Sequence, residues 1–335
     1  MLYYSYKKEG GTGIMGKGRT KIIPIQVEVP MDLKTINFYL VQTANRLMLV
    51  DAGYDTEQCW EALLTSLEAH QFRLHDLSEI VLTHNHIDHV GLVNRIIKEH
   101  PIPVYAHQKA IPRLKREPSF FEMRIDFFQR LYEQMDCGET GEKQVNKLRE
   151  AFEKNRDNMI VADILPLGRM HGPFQVIEVP GHAPDQVAFY LEEEQVLIGG
   201  DLLIGHISSN AIVEPDEHGN RLKTLIQHYA SLEKIGNLPL QWVYSGHGRV
   251  IDNPKNIIIK RLNRIKEKAE RFKDMIEKGH TTANSIAKHN YKQLYYKQFS
   301  LVMSEVIGHL DWLEEEGKIS KTLEHGVWQY FVMDE

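Results

Sequence analysis

The segment Thr83-His84-Asn85-His86-Ile87-Asp88-His89 places four candidate metal ligands within six residues. It directly follows the short apolar stretch 79–83, which reads as a β-strand. A helix would send residues two apart to different faces, so this spacing favours a loop that turns several side chains toward one point. Imidazole nitrogen and carboxylate oxygen suit zinc and similar divalent ions. The chain has 17 histidines. A chance grouping of surface histidines would account for a pair, but not for this density.

Three later segments offer further ligands, each at the end of a strand-like run. Gly181-His182 follows 174–179, Gly199-Gly200-Asp201 follows Val196-Leu197-Ile198, and Gly246-His247-Gly248 follows Trp242-Val243-Tyr244. Flanking glycines let the backbone turn sharply there. A lone His-Gly pair would be an ordinary loop. All three in this order after the cluster point to one site.

The elements around these segments alternate. Strands are expected at 22–29, 36–41 and 46–50, the last two separated by turn-prone Thr43-Ala44-Asn45. A helix over 57–70 carries Trp60, Leu63, Leu64 and Leu67 on one face. Another helix follows Gly91, then strand Val104–Ala106. Strands resume at 174–179, 186–190 and 195–198, followed by a helix at 223–235 and a strand at 241–245. This describes a layered domain over residues 20–253. Within it, 108–160 is charged, irregularly helical and rich in Phe. It reads as a helical insertion, either a packing layer or a lid over the site.

Beyond Asn253-Pro254 the pattern changes. Ile258, Leu262, Ile265, Ala269, Phe272 and Ile276 form a helical stripe. Thr281 or Thr282 can cap a second helix, and a third covers 298–316. Runs 318–323 and Val327–Val332 then flank Glu324-His325-Gly326, a hairpin turn. Three helices and a hairpin predict a small winged-helix-like domain over 254–335.

Thr83–His89 resembles the T-H-x-H-x-D-H motif of the metallo-β-lactamase superfamily, and the three later segments resemble its remaining ligand motifs. Leu49-Val50-Asp51-Ala52-Gly53 is similar to its early Asp-containing turn. The resemblance covers about residues 20–250. It implies an α+β fold of four layers: an αβ/βα sandwich with two facing sheets and helices outside. It implies two divalent ions, zinc by default, with iron or manganese as alternatives. His84, His86 and His182 would hold the first, and Asp88, His89 and His247 the second, with Asp201 bridging. Asp51 would orient a ligand from behind. Such ions make a hydroxide available near neutral pH, and Asp88 would orient it or relay its proton.

The ligand set does not name the substrate. With Asp88 and a bridging Asp201 the chain resembles the glyoxalase II-like and lactamase-like endoribonuclease branches rather than true β-lactamases. His206, Ser208 and Asn210, just past Asp201, are candidate substrate contacts. Asp185 reads as a turn cap. The expected activity is hydrolysis of an ester- or thioester-like small molecule.

A metal-dependent ribonuclease is the second reading. Residues 255–297 hold twelve Lys and Arg against four Asp and Glu, which would suit phosphate contact. The acidic run Glu314-Glu315-Glu316 opposes that on the helix that would enter a groove, so a packing or dimer-forming role is preferred. A nucleic-acid binder with a degenerate catalytic domain conflicts with the intact ligand set. A two-iron redox enzyme would need a flavin partner domain.

Composition sets outer bounds. The chain has 335 residues, 42% hydrophobic, with net charge −6, enough for more than one core and unsuited to nucleic-acid binding by the whole surface. Cys59 and Cys137 show no ligand-like spacing and read as reduced thiols of a cytoplasmic protein. No run approaches the roughly 18 apolar residues that span a membrane. Residues 1–19 read as a flexible tail.

Overall fold

The computed structural model describes residues 20–333, so the tail expected over 1–19 lies outside the described residues. Two six-stranded sheets form the centre. The first runs in chain order: β1 (Lys21–Glu28), β2 (Thr35–Gln42), β3 (Leu47–Val50), β4 (Glu79–Val81), β5 (Val104–Ala106) and β6 (Ile164–Pro166). Its first three strands pair antiparallel and the rest parallel. The second contains β7 (Met170–His171), β8 (Phe174–Glu178), β9 (Val187–Leu191), β10 (Val196–Gly200), β11 (Trp242–Ser245) and β12 (Ile251–Asp252). Only β10 and β11 pair in parallel there.

Alternation along each strand explains the layering. Tyr39, Val41, Met48, Val50 and Val81 meet Phe174, Phe189, Leu191 and Ile198 between the sheets. Phe38, Leu40, Leu49 and Ile80 point the other way, onto helices Glu57–Ala69 and Val93–Glu99. Ala188, Tyr190, Leu197 and Val243 likewise meet helix Thr224–Gly236 through Leu232 and Ile235. Strands β2, β3, β9 and β10 are buried on both faces and read as near-continuous apolar runs, whereas the edge strand β1 alternates buried and exposed residues. The result is helix, sheet, sheet, helix. The short strands β6, β7 and β12 are not legible in the sequence, because, unlike the equally short but wholly apolar β5, each carries a Pro, His or Asp.

The C-terminal segment folds as helices Lys255–Glu277, Ala283–Tyr291, Gln293–Lys297 and Phe299–Glu315, then β13 (Ile319–Glu324) and β14 (Val327–Val332). Thr282, rather than Thr281, caps the second helix, accepting from the Ser285 N–H. His325 and Gly326 both take positive φ at the hairpin turn, as a two-residue type I′ loop requires. The apolar stripe of the first helix divides. Ile258 packs on the outer layer of the second sheet, and Ala269, Phe272 and Ile276 enter a separate core.

That second core is shared. Helices Pro118–Gln134 and Gly138–Lys154, from the stretch read as an insertion, bring Ile125, Phe128, Leu131, Tyr132 and Val145 against Phe272, Ile286, Tyr295, Phe299, Val306 and Tyr330. Segments over 120 residues apart in sequence therefore bury one another. Both cysteines are buried and unbonded. Among the described residues, no helix is long and apolar enough to cross a membrane.

Candidate metal centre

Sheet direction gathers the candidate ligands. β3, β4, β8, β10 and β11 all deliver a loop at their C-terminal ends, carrying Asp51, residues 84–89, His182, Asp201 and His247 respectively. The crevice beyond such strand ends is where layered sheets bring loop side chains together. All seven candidate ligands converge there. His84, His86 and His182 form one group, His84, His89 and Asp201 a second, and Asp88, His89 and His247 a third; within each group the ligand atoms lie within 4.8 Å of one another.

In the first group, His86 Nδ1 lies 3.0 Å from His84 Nε2 and 2.9 Å from His182 Nε2. Around the carboxylates, His247 Nε2 sits 3.1 Å from Asp201 Oδ2 and 3.4 Å from Asp88 Oδ2. His89 Nε2 is 3.4 Å from Asp201 Oδ1, and His182 Nε2 is 3.5 Å from Asp201 Oδ2. Asp201 thus faces both sets of histidines.

Most of the outward ring nitrogens are held by the protein. His89 Nδ1 meets Asp51 Oδ2 at 2.8 Å, His247 Nδ1 meets the Thr35 carbonyl at 2.8 Å, and His182 Nδ1 meets the Asn210 carbonyl at 2.9 Å. His84 Nδ1 lies 3.0 Å from Thr83 Oγ1. Anchoring one nitrogen fixes ring orientation and directs the other inward. Asp51 also accepts from the Thr83 N–H and Oγ1, each at 2.8 Å, and it does so from a left-handed backbone, φ 61°. Gly246 closes the rear of the site. A Cβ there would lie 2.2 Å from Asp201 Oδ1 and 2.7 Å from His89 Cε1, so only glycine fits without displacing both.

Electrostatics divide the histidines. Burial, then the neighbouring imidazoles, hold His84 well below the usual range and His182 down at about 4. These rings are neutral, with lone pairs ready for a cation. Burial also opposes charge on His247, but hydrogen bonds to Asp201 and Asp88 outweigh it and lift the pKa to about 9. His89 rises for the same reason, with Asp51 the strongest of its partners. Asp88 falls to about 2, because His89 and His247 outweigh its burial. The buried carboxylates demand positive charge, supplied here by imidazole protons. A divalent cation would displace those protons and satisfy the same demand. His89 Nε2 and Asp201 Oδ1 are buried with no hydrogen-bond partner, as expected of atoms that face an ion. The donor set fits divalent metal.

The three expected substrate contacts diverge. His206 Nε2 lies 2.8 Å from the Asp32 carbonyl, and its ring packs against Gly248. Ser208 is exposed and lines a crevice beside Arg261 and Arg264. Asn210 bears on the site through its backbone carbonyl on His182. Ser209, which carries no signal in the sequence, reaches the same His182 nitrogen at 3.0 Å. Asp185 lies in a turn, where it is buried and accepts from the Asn85 side chain at 2.5 Å. Thr35, at the start of β2, Thr83, inside the ligand motif, and Ser209 hold the ligands through hydrogen bonds that no sequence pattern marks.

Comparison with known proteins agrees with this geometry. The metallo-β-lactamase superfamily model matches residues 31–247. A probable metallo-hydrolase of Bacillus subtilis, YqjP, is 31% identical over 303 residues, covering 89% of this chain and 94% of its own. An atrochrysone carboxyl ACP thioesterase of Aspergillus fumigatus is 26% identical over 242 residues, covering 72% of this chain and 59% of its own. The crystal structure of a metallo-β-lactamase family protein from Thermus thermophilus superposes with TM-score 0.75 at 27% identity, over 93% of this chain and 98% of that one. The chain that gathers these histidines and aspartates at the edge of its paired sheets belongs to the metallo-β-lactamase superfamily.

Proposed function

We propose that this protein is a dinuclear metal-dependent hydrolase acting on an ester- or thioester-like small molecule in the cytoplasm. The observation that carries the reading is the convergence of seven His and Asp side chains with inward atoms left orphaned. His84, His86 and His182 would hold one ion, Asp88, His89 and His247 the other, with Asp201 between them; zinc is the default for this donor set. Ions so held acidify water and polarise an acyl oxygen.

The chain's own residues do the rest. Asp88 has the most exposed carboxylate of the centre, at 12% against 6% for Asp201 and 1% for Asp51. His89 and His247 outweigh its burial and keep it ionised, so it would orient a bound water. Asp51 and Thr35 hold His89 and His247, and Asn210 holds His182. The thioesterase name of one relative supports the thioester end of the range and the glyoxalase II-like branch.

Residues 254–335 are read as a winged-helix-like domain with a packing role. Some of its basic side chains are engaged in contacts within the protein. Arg261 donates to the carbonyls of Ile204, Gly205 and Ile207, in the loop after Asp201. Lys268 pairs with Glu305, and Lys318 with Glu270. The test is a screen of metal-loaded protein against a thioester, a lactone, a bis-aryl phosphodiester and single-stranded RNA, alongside elemental analysis. Thioester or lactone turnover with two ions per chain is expected. Preferential cleavage of the phosphodiester and RNA would replace this reading with the nuclease one.

A further inference from the structure

Beside the metal centre lies a cleft that the ligand set does not explain. His86 and Asn85 form one wall, and Arg113, Arg116, Phe120 and Arg124 form the other, around about 660 Å³ of space open to solvent. The arginine wall belongs to the stretch 108–160, so this segment borders the site as well as sharing the C-terminal core.

The charges there do not balance. Arg113 and Arg124 both pair with Glu214, through Arg113 Nη2 at 3.0 Å and Arg124 Nε at 2.8 Å, with a second, closer Arg124 contact. One buried carboxylate thus holds two guanidinium groups rigid. Arg116 has no acidic partner among the described residues. Its Nε is buried without a hydrogen-bond partner. Its Nη2 reaches only the Phe152 carbonyl, at 3.5 Å. The guanidinium lies over the Phe121 ring, 4.9 Å from the centroid, and burial depresses its pKa. Its backbone is left-handed, φ 50°, a conformation that residues other than glycine rarely adopt. Three cations face Glu214 and, behind Arg113 and Asn85, the buried Asp185, so positive charge stays in excess on an aromatic wall facing His86, with Arg116 unpaired.

We propose that this cleft binds an anionic group of the substrate, a carboxylate or a phosphate, with Arg116 as the principal contact and Arg113 assisting. The inference rests on the hydrolase reading above and names its substrate class. Phe120 and Phe121 would take the aliphatic part, leaving the scissile acyl group next to His86. The anion could sit on the acyl side, as a terminal carboxylate, or on the thiol side, as the phosphate of a phosphopantetheine arm.

The test compares zinc-loaded wild type with Arg116→Met and Arg116→Lys. Three thioesters are used: neutral on both sides, carboxylate-terminated on the acyl side, and phosphorylated on the thiol side. The ratio of kcat/KM for the preferred charged substrate over the neutral one should fall roughly 10- to 100-fold in Arg116→Met, carried in KM and partly restored in Arg116→Lys. Whichever charged substrate responds identifies the source of the anion. Equal loss on all three, with a lowered Tm, would show that Arg116 only supports the fold. Calorimetric titration of glutarate and of phosphopantetheine into the same proteins separates the two readings. If neither these thioesters nor the lactone of the activity screen is cleaved, the hydrolase assignment fails, but binding that weakens in Arg116→Met still upholds the anion site. If thioesters are cleaved and neither anion binds wild type more tightly than the variant, the anion site is wrong and the hydrolase stands.

Discussion

Asp51 shows how much one side chain can organise. Its carboxylate accepts from the Thr83 N–H, the Thr83 hydroxyl and His89 Nδ1, each at 2.8 Å. It therefore fixes both the start of the ligand loop and the ring of one ligand. An Asn at this position tolerates the same left-handed backbone but loses one acceptor oxygen and the negative charge behind His89. Asp51→Asn should bind zinc roughly 10- to 100-fold more weakly, the usual effect of removing such a supporting partner, with little change in far-UV circular dichroism. Competition against a chelator measures this; affinity within twofold of wild type would mean that Asp51 supports only the turn. The sequence pattern points to Asp51 because its flanking residues form a motif. Thr83 lies inside the ligand motif itself, yet nothing there marks its hydroxyl as Asp51's partner.

At the scale of elements, helix ends are more legible than short strands. A Thr or Ser side chain at an N-cap satisfies an otherwise unpaired backbone N–H, so two threonines before an apolar stretch mark a start. The choice between them depends on which can reach Ser285. In the structure Thr282 and Ser285 make a reciprocal capping box, and the Thr282 hydroxyl also reaches Asp136 Oδ2 at 3.4 Å. Thr282→Ala should cost about 1 kcal/mol, seen as a lower urea midpoint at constant slope. An unchanged midpoint would show that the cap is replaced by water. Strands β6, β7 and β12 leave no comparable mark, since they exist through partners already in place in the sheets.

For the whole molecule, the shared core sets the unit of stability. Phe272, Ile286 and Tyr330 bury the apolar faces of helices Pro118–Gln134 and Gly138–Lys154, although Asn253-Pro254 separates them in sequence. A chain ending at Asn253 should therefore expose that surface and aggregate, or melt well below the full-length protein. A truncated chain that stays monomeric and melts at the full-length temperature would contradict this. The same core carries a pH liability. His309 is 2% exposed, its Nε2 lacks a partner, and burial depresses its pKa to about 4. The unfolded chain takes up that proton near the ordinary value of 6.5, so it binds more protons than the folded chain between these limits. Stability should therefore fall as pH drops from about 6.5 toward 4, by at most about 1.4 kcal/mol per pH unit from this group. Urea melts of His309→Leu across this range should show a shallower pH slope. An equal slope would assign the effect to other groups.

The amino-acid order alone determined the ligand types, the strand-end positions that carry them, and the alternation that predicts helices over sheets. These are local properties: a dense His/Asp loop, glycine at turns and side-chain periodicity can be read over a few residues. Only the tertiary structure decided that Ser209 and the backbone of Asn210 hold His182. It alone placed Arg113, Arg116 and Arg124 across from His86, and it alone merged the insertion with the C-terminal helices. Each of these depends on contacts between segments tens to hundreds of residues apart. An apolar stripe or an arginine states that it needs a partner, but which partner it meets is set by the path of the chain through space.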